Sequence, residues 1–251
     1  MKIKKLIQKK EKTQKYIAFW KQSLIKKFYY FLKFFILDIS KQIKDKSFNE
    51  YALTIFSGRQ GSGKTMSLVA ELERVRHEFP DVMICTNFGY IHEDVALTDW
   101  QQILDLRCDA GIVFALDEIQ NEFDIYNARA FDTNILRVVT QQRKQKIKMY
   151  ATSQVFTRVS KPLREQTYEV VECHTLFGRW TFQKCFDADD YNLVIDSTNP
   201  EKKMSIRRKW RRNFVQNDYI RNLYNSYAVI ENMSKLQKET TEKVKKGLFG
   251  S

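Results

Sequence analysis

The 251-residue sequence is 43% hydrophobic, which is ordinary for a folded soluble core and allows one large domain or two small ones. Its formal net charge of +13 is unevenly distributed, with +11 in residues 1–47, −6 in residues 48–200 and +8 in residues 201–251. Basic segments of this kind are typical of proteins that contact phosphate, in nucleic acid or at an anionic membrane, although a solvated charge run is the alternative. We therefore divide the chain at these boundaries into a basic N-terminal segment, an acidic core and a basic C-terminal tail.

The cysteines and the apolar runs argue against a disulfide-stabilised or membrane-spanning protein. The four cysteines show neither CxxC pairing nor zinc-finger spacing, and the three histidines do not complete a metal ligand set. We therefore expect reduced thiols in a cytoplasmic protein. The nearest approach to a spanning segment, residues 28–37, is interrupted by Lys33 and is shorter than the roughly 18 residues that a spanning helix needs. The polar residues that follow it do not fit a signal-peptide cleavage site, so export is not expected.

Residues 15–44 are predicted to form a basic amphipathic helix. Apolar side chains recur every three or four residues on one face, and Lys15, Lys26 and Lys33 lie on the opposite face. The apolar face comprises Ile17, Trp20, Leu24, Phe28, Phe31 and Phe35. A helix of this composition fits an anionic membrane surface, or it docks against the protein's own core or another subunit. The pattern leaves both interpretations open.

Residues 48–200 alternate between strand and helix signals, which predicts an α/β domain with a mainly parallel sheet flanked by helices. Strands are predicted at residues 51–56, 81–86, 111–116 and 147–152, and a hairpin that turns at 177–179 is predicted over residues 169–186. Helices are predicted at residues 64–79, 98–106 and from Asp132 or Thr133 to Arg143.

A glycine-rich sequence, GRQGSGKT at residues 58–65, lies between the first strand and the first helix of this domain, and it contains three of the chain's eight glycines. In a GxxxxGK[ST] loop, backbone N–H groups surround phosphate oxygens and the following helix presents its positive end to them. This context predicts an ATP site in which Lys64 contacts the β- and γ-phosphates and the Thr65 hydroxyl binds Mg²⁺. The predicted nucleotide ligands are Gly58, Arg59, Gln60, Gly61, Ser62, Gly63, Lys64 and Thr65.

Two acids follow the apolar strand at residues 111–116. Asp117 is predicted to hold the magnesium ion through water from beside the loop, and Glu118 is predicted to polarise the water that attacks the γ-phosphate. This arrangement indicates hydrolysis rather than phosphoryl transfer to a metabolite. The alternative is that an acid at the strand end caps the next helix.

A polar group also ends the strand at residues 147–152, where Thr152, Ser153 and Gln154 follow an apolar stretch. Ligands of parallel sheets bind at the carboxyl edge of the strands. Gln154 is therefore predicted to contact the γ-phosphate, with the start of a loop as the alternative.

The order of these motifs resembles the zonular occludens toxin-like ATPases, which include the assembly proteins of filamentous phages and belong to the FtsK-type group of DNA motors. The resemblance covers residues 51–173 and extends to residues 218–230. It is carried by GRQGSGKT, by CTN at residues 85–87, by FALDEIQ at residues 114–120 and by the run that ends in ATSQ at Gln154. Members of this family commonly have a spanning helix after the ATPase domain, where this sequence has a basic tail.

The resemblance implies an ATP-hydrolysing, Mg²⁺-dependent motor of a virus or mobile element that drives DNA packaging or translocation in virion assembly. It also implies a homo-oligomeric ring, contacts with other virion or assembly proteins, and an arginine from the neighbouring subunit, for which Arg143 is the first candidate and Arg158 and Arg164 are the others. Attachment to the inner face of the cell membrane or to the virion is left open. The alternatives are a nucleotide-regulated membrane adaptor and a helicase or replication ATPase.

Overall fold

The computed structural model describes residues 23–44, 47–99, 101–119, 145–195 and 206–224. The helices in these ranges are α1 (Leu24–Lys44), α2 (Lys64–Glu78), α3 (Gln102–Asp105), α4 (Lys161–Gln166), α5 (Ala188–Ile195) and α6 (Asp218–Arg221). The strands are β1 (Ala52–Ser57), β2 (Met83–Thr86), β3 (Val95–Ala96), β4 (Ile112–Leu116), β5 (Ile147–Ser153), β6 (Thr167–Leu176), β7 (Trp180–Asp187) and β8 (Arg208–Val215).

The strands form one eight-stranded sheet in the order β3-β2-β4-β5-β1-β6-β7-β8. The first six strands of this order are mutually parallel, and the last two pairings, β6–β7 and β7–β8, are antiparallel. The mainly parallel α/β sheet predicted from the sequence is therefore confirmed. Because β5 lies between β1 and β4, the carboxyl ends of three neighbouring strands meet at one edge of the sheet, beside the loop that follows β1.

A hydrophobic core lies on each face of the sheet. On one face, α2 packs Leu68, Val69 and Leu72 against side chains such as Phe56 and Val113, all of them almost completely buried. The heptad-like spacing of apolar residues in α2 places this stripe toward the sheet, as its sequence predicts. On the other face, the core is covered by α3, α4, α5 and the short 3-10 turn Phe156–Arg158.

The predicted hairpin is present as β6 and β7, which turn through Phe177, Gly178 and Arg179. Strand β8 then pairs with β7 along the edge of the sheet. Residues 208–215 therefore belong to the sheet, although the sequence analysis assigned them to the basic C-terminal tail. The strand was missed because it carries four charged residues in eight and has no buried position, so it shows no apolar periodicity.

Helix α1 has large apolar side chains around much of its circumference, and many are more than half exposed. Examples are Leu24, Ile25, Phe28, Phe31, Phe34 and Ile36. The helical part of the N-terminal prediction is confirmed from residue 24 onward. Within the described ranges, no helix combines the length and the apolar character that crossing a bilayer requires.

Several predicted features lie outside the described residues. They are the start of the N-terminal helix with Ile17 and Trp20, the helix from residue 132 or 133, and Arg143.

Candidate active site

The glycine-rich loop connects the end of β1 to the start of α2, as its sequence predicts. Gly61 and Gly63 have left-handed backbone angles, with φ of 77° and 86°. A Cβ atom on Gly63 would lie 2.5 Å from the Thr175 hydroxyl oxygen and 2.9 Å from that of Thr181. Glycine at this position is therefore required by both conformation and space, because a side chain would meet the β6–β7 hairpin.

The same hairpin holds the loop in place. Thr175 donates a hydrogen bond to the Ser62 carbonyl oxygen at 2.9 Å, and its hydroxyl lies 2.9 Å from that of Thr181. The Gly58 N–H donates to the Ser153 carbonyl oxygen of β5. The loop is thus fixed from both sides by neighbouring strands, which fits a cradle of backbone N–H groups for phosphate.

Lys64 begins α2 with a side chain that is only 6% exposed. Its Nζ donates to the Arg59 carbonyl oxygen at 3.4 Å and lies 3.6 Å from Glu118 Oε1. A buried ammonium needs such partners because removing the charge from water is costly. The side chain is positioned within the loop, where the sequence predicts contact with phosphate.

Thr65 and Asp117 form the predicted metal-binding pair. The Thr65 hydroxyl donates to both Asp117 carboxylate oxygens, at 3.1 and 3.3 Å. Hydroxyl and carboxylate oxygens are ligands that Mg²⁺ takes at about 2.1 Å, usually together with water and phosphate oxygens. The donor set therefore fits a magnesium ion held by Thr65 and Asp117.

Asp117 is held by two further residues, Asn87 directly after β2 and Thr152 in β5. The Asn87 side chain accepts from the Asp117 N–H at 2.7 Å and donates to the Asp117 carbonyl oxygen at 3.3 Å. The Thr152 hydroxyl donates to Asp117 Oδ1 at 2.6 Å and accepts from the Glu118 N–H at 2.8 Å. Asn87 and Thr152 are positioning residues, and the sequence predicted no bond from either of them to Asp117.

Burial raises the pKa of the Asp117 carboxyl, and the adjacent Glu118 charge raises it further. Hydrogen bonds from Thr152 and Thr65 and the charge of Lys64 act in the opposite direction but do not cancel the effect of burial. The negative charge at this position is thus costly in the protein alone. A carboxylate in such a site is well suited to bind a cation, which removes the cost.

Glu118 follows with a left-handed backbone angle, φ of 50°, that is uncommon for a residue with a side chain. Its side chain is 27% exposed and faces Lys64. Sparsely populated backbone conformations occur often at functional sites, where the surrounding structure maintains them. Here the hydrogen bond from the Glu118 N–H to Thr152 contributes to that support.

The polar residues at the end of β5 do not all join this cluster. Gln154 lines a cavity beside Gly58 and Ser62, and Ser153 donates to the Val155 carbonyl oxygen. Contact between Gln154 and phosphate therefore stays a prediction. Arg158 and Arg164 lie in the segment that follows, so the assignment of an arginine to the neighbouring site also stays a prediction.

No protein-family model matches this chain, and no curated protein is significantly similar to it. Among solved structures, it is similar to the N-terminal domain of zonular occludens toxin from Neisseria meningitidis, with 17% identity and a TM-score of 0.49 over 70% of this chain and 99% of that one. The family that the sequence motifs resemble is thus among the similar structures.

Two other solved structures show lower similarity. The genome packaging NTPase B204 from Sulfolobus turreted icosahedral virus 2 has 13% identity and a TM-score of 0.40, over 55% of this chain and 92% of that one. EccC from Thermomonospora curvata, with its ATPases 2 and 3, has 9% identity and a TM-score of 0.40, over 54% of this chain and 35% of that one.

The strand–loop–helix unit and the sheet identify the fold as that of a P-loop NTPase.

Proposed function

We propose that this protein binds Mg·ATP at residues 58–65 and hydrolyses it to move DNA during virion assembly of a virus or mobile element. The observation that carries the proposal is the convergence of Lys64, Thr65, Asp117 and Glu118 at one sheet edge. Nucleotide hydrolysis requires a phosphate-binding loop, oxygens that bind a metal ion and a further acid.

Each residue has a separate role in this proposal. The loop N–H groups and Lys64 bind and orient the phosphates, while Thr65 and Asp117 hold Mg²⁺, which offsets phosphate charge when bound. Glu118 accepts a proton from the attacking water while the water oxygen forms a bond to the γ-phosphorus. The bond from that phosphorus to the bridging oxygen breaks, and ADP and phosphate are released.

DNA as the partner is supported by the +8 charge of residues 201–251, whereas the +11 of residues 1–47 suits phosphate in either DNA or an anionic membrane. The test is ATP hydrolysis by the full chain with and without single- and double-stranded DNA. A DNA motor requires stimulation by one of them. Hydrolysis that DNA does not change would favour the adaptor, and displacement of an annealed strand would favour the helicase.

Assembly into a ring, with an arginine completing the neighbouring site, is part of the proposal. Arg143, Arg158 and Arg164 flank the strand that ends before Gln154. Mixing an Arg143→Ala protein with a Lys64→Ala protein should restore some hydrolysis, because some interfaces then combine an intact loop with an intact arginine. An absence of rescue at every mixing ratio, for all three arginines, would argue for a self-contained monomer.

Attachment to an anionic membrane is proposed for α1. Its exposed aromatic and aliphatic side chains are suited to insertion at the headgroup boundary, and the surrounding lysines are suited to lipid phosphate. DNA contacts need the lysines but do not need the apolar side chains. The composition of α1 therefore favours the membrane as its partner.

A further inference from the structure

A cavity of about 1290 Å³ lies directly beside the phosphate-binding loop. Its walls include Gly58, Arg59 and Ser62 of the loop, together with Gln154 and Thr157 from the segment after β5. Small-molecule pockets commonly have volumes of roughly 300–1,000 Å³. This space, which we call the hairpin-face cavity, therefore has room for the part of a nucleotide that lies outside the phosphate loop.

The floor of the hairpin-face cavity is formed by β6, β7 and β8, which contribute His174, Phe182 and Asn213 to its lining. Cross-strand pairing places His174 opposite Phe182, and Phe182 opposite Asn213. Directly paired residues on one face of an antiparallel sheet have their Cβ atoms about 5 Å apart. One row across the three strands thus combines an imidazole, a benzene ring and a carboxamide.

The adjacent rows extend this surface. Trp180 lies next to Phe182, with ring centroids 4.9 Å apart, and its indole N–H donates to Asn213 at 3.1 Å. In the row on the other side, Lys184 pairs with Arg211, and both side chains are exposed. The surface is therefore aromatic at its centre and polar or cationic around it.

A nucleobase has matching chemistry. Its flat face stacks on aromatic rings, and its edge carries hydrogen-bond donors and acceptors that imidazole and carboxamide groups can satisfy. The phosphates of the same ligand would lie in the loop that forms one wall of the cavity. A single molecule can thus occupy both compartments.

We propose that the hairpin-face cavity receives the nucleoside part of the bound nucleotide, with the base stacked on Phe182 and its edge facing His174 and Asn213. This inference rests on the proposed ATP site. It assigns recognition of the base to the β6–β8 face, which none of the sequence motifs contains. The phosphate loop and the base pocket are then mechanically connected, because Thr175 of β6 also holds the Ser62 carbonyl.

The test compares two ligands that differ in the nucleoside alone, ATP and inorganic tripolyphosphate, by calorimetric titration of the full-length protein with Mg²⁺. Phe182→Ala and His174→Ala should each weaken ATP binding, by about tenfold for the stacking residue, and leave tripolyphosphate binding unchanged. Phe177→Ala is the matched control, since Phe177 lies in the same hairpin with its side chain 99% exposed and does not line the cavity.

The outcomes separate this inference from the ATP site itself. If neither ligand binds the wild-type protein, or if Lys64→Ala binds both as tightly as the wild type, the ATP site is wrong. If Lys64→Ala loses both ligands while the two cavity variants bind ATP and tripolyphosphate like the wild type, the base lies elsewhere. Equal losses of both ligands in His174→Ala, an exposed position, would also overturn the inference. Loss of oligonucleotide binding alone in the cavity variants would assign the face to nucleic acid instead.

Discussion

Lys64 and Glu118 face each other at the sheet edge, with 3.6 Å between the Lys64 Nζ and a Glu118 carboxylate oxygen. Lys64 is the first residue of α2, which follows β1 and the phosphate loop. Glu118 lies just after β4, and β5 separates β4 from β1 in the sheet. One group is suited to bind phosphate and the other to accept a proton from water. Their proximity places within one site the two groups that the proposed ATP hydrolysis needs, one for phosphate and one for water.

The substitution Glu118→Gln should abolish most ATP hydrolysis without abolishing ATP binding. The amide keeps the size of the side chain but cannot accept the proton, so hydrolysis should fall by about 10²- to 10⁴-fold while Mg·ATP still binds. Phosphate release and calorimetric titration measure the two properties. Glu165→Gln, at an exposed position on α4, is the control for loss of one acid. Normal hydrolysis in Glu118→Gln would make Glu118 structural.

The raised pKa of Asp117 predicts an unusual pH dependence of metal binding. A protonated carboxyl cannot bind Mg²⁺, so Mg²⁺-dependent ATP affinity should decline at a higher pH than for an ordinary aspartate as the solution is acidified. Titrations of ATP across a pH series, with Mg²⁺ and with EDTA, measure this. A decline that begins only in the range of an ordinary exposed aspartate would contradict it.

The same shift predicts a stability change in Asp117→Asn. The folded protein binds the Asp117 proton more tightly than the unfolded chain does, so ionisation at neutral pH disfavours the fold. The neutral amide avoids this cost. The variant should lose Mg²⁺-dependent ATP binding yet unfold at the same or a higher temperature at neutral pH, and the difference should shrink as the pH falls and the wild-type carboxyl is protonated. A lower unfolding temperature at neutral pH would show that the charge stabilises the fold.

Two glycines of the loop should respond differently to alanine. Both have positive φ, so each substitution carries backbone strain of about 1–2 kcal/mol. Only at Gly63 would the new Cβ meet other atoms, those of Thr175 and Thr181, whereas nothing lies within 4 Å at Gly61. We expect Gly63→Ala to lose ATP affinity by more than about tenfold and Gly61→Ala to lose much less. Equal ATP affinities in the two variants would show that the hairpin does not shape the loop.

Deletion of residues 1–47 tests the membrane proposal. The deletion removes +11 of charge and all of α1, and ATP binding should survive because the loop and its partners lie elsewhere. The intact protein should sediment with anionic vesicles and the truncated protein should not, and high salt should weaken the attachment without abolishing it.

A different result would change the assignment of this segment. The segment binds nucleic acid if truncation leaves vesicle binding unchanged and removes a DNA affinity that depends steeply on salt concentration. If truncation changes neither, the membrane proposal fails and the basic residues from Lys202 to Arg212 become the next candidates.

The parts of the site that are local in sequence could be predicted. The glycine loop, its lysine and threonine, and the acids after β4 each follow from a short motif and the element beside it. The fold class followed from apolar runs that alternate with helical periodicity. These signals depend on neighbouring residues alone, so a single sequence contains them.

The parts that depend on pairing between distant strands could not be predicted. Asn87, directly after β2, and Thr152 of β5 hold Asp117, and no spacing rule indicates that β2 and β5 flank β4. The cavity floor includes β8, which could not be recognised as a strand because its sequence is highly charged and shows no apolar alternation. The signals available for Asn87 were its place directly after an apolar strand and the CTN motif at residues 85–87, and neither indicates a bond to Asp117.

Calorimetric titration of Mg·ATP into the wild-type protein and into Lys64→Ala tests the central claim most directly. Removing the ammonium leaves phosphate charge poorly compensated in a loop built to hold it, so the wild type should bind and the folded variant should lose affinity by at least about tenfold. Circular dichroism verifies that the variant is folded. Equal affinity of the two proteins for Mg·ATP would contradict the assignment of residues 58–65 as the nucleotide site.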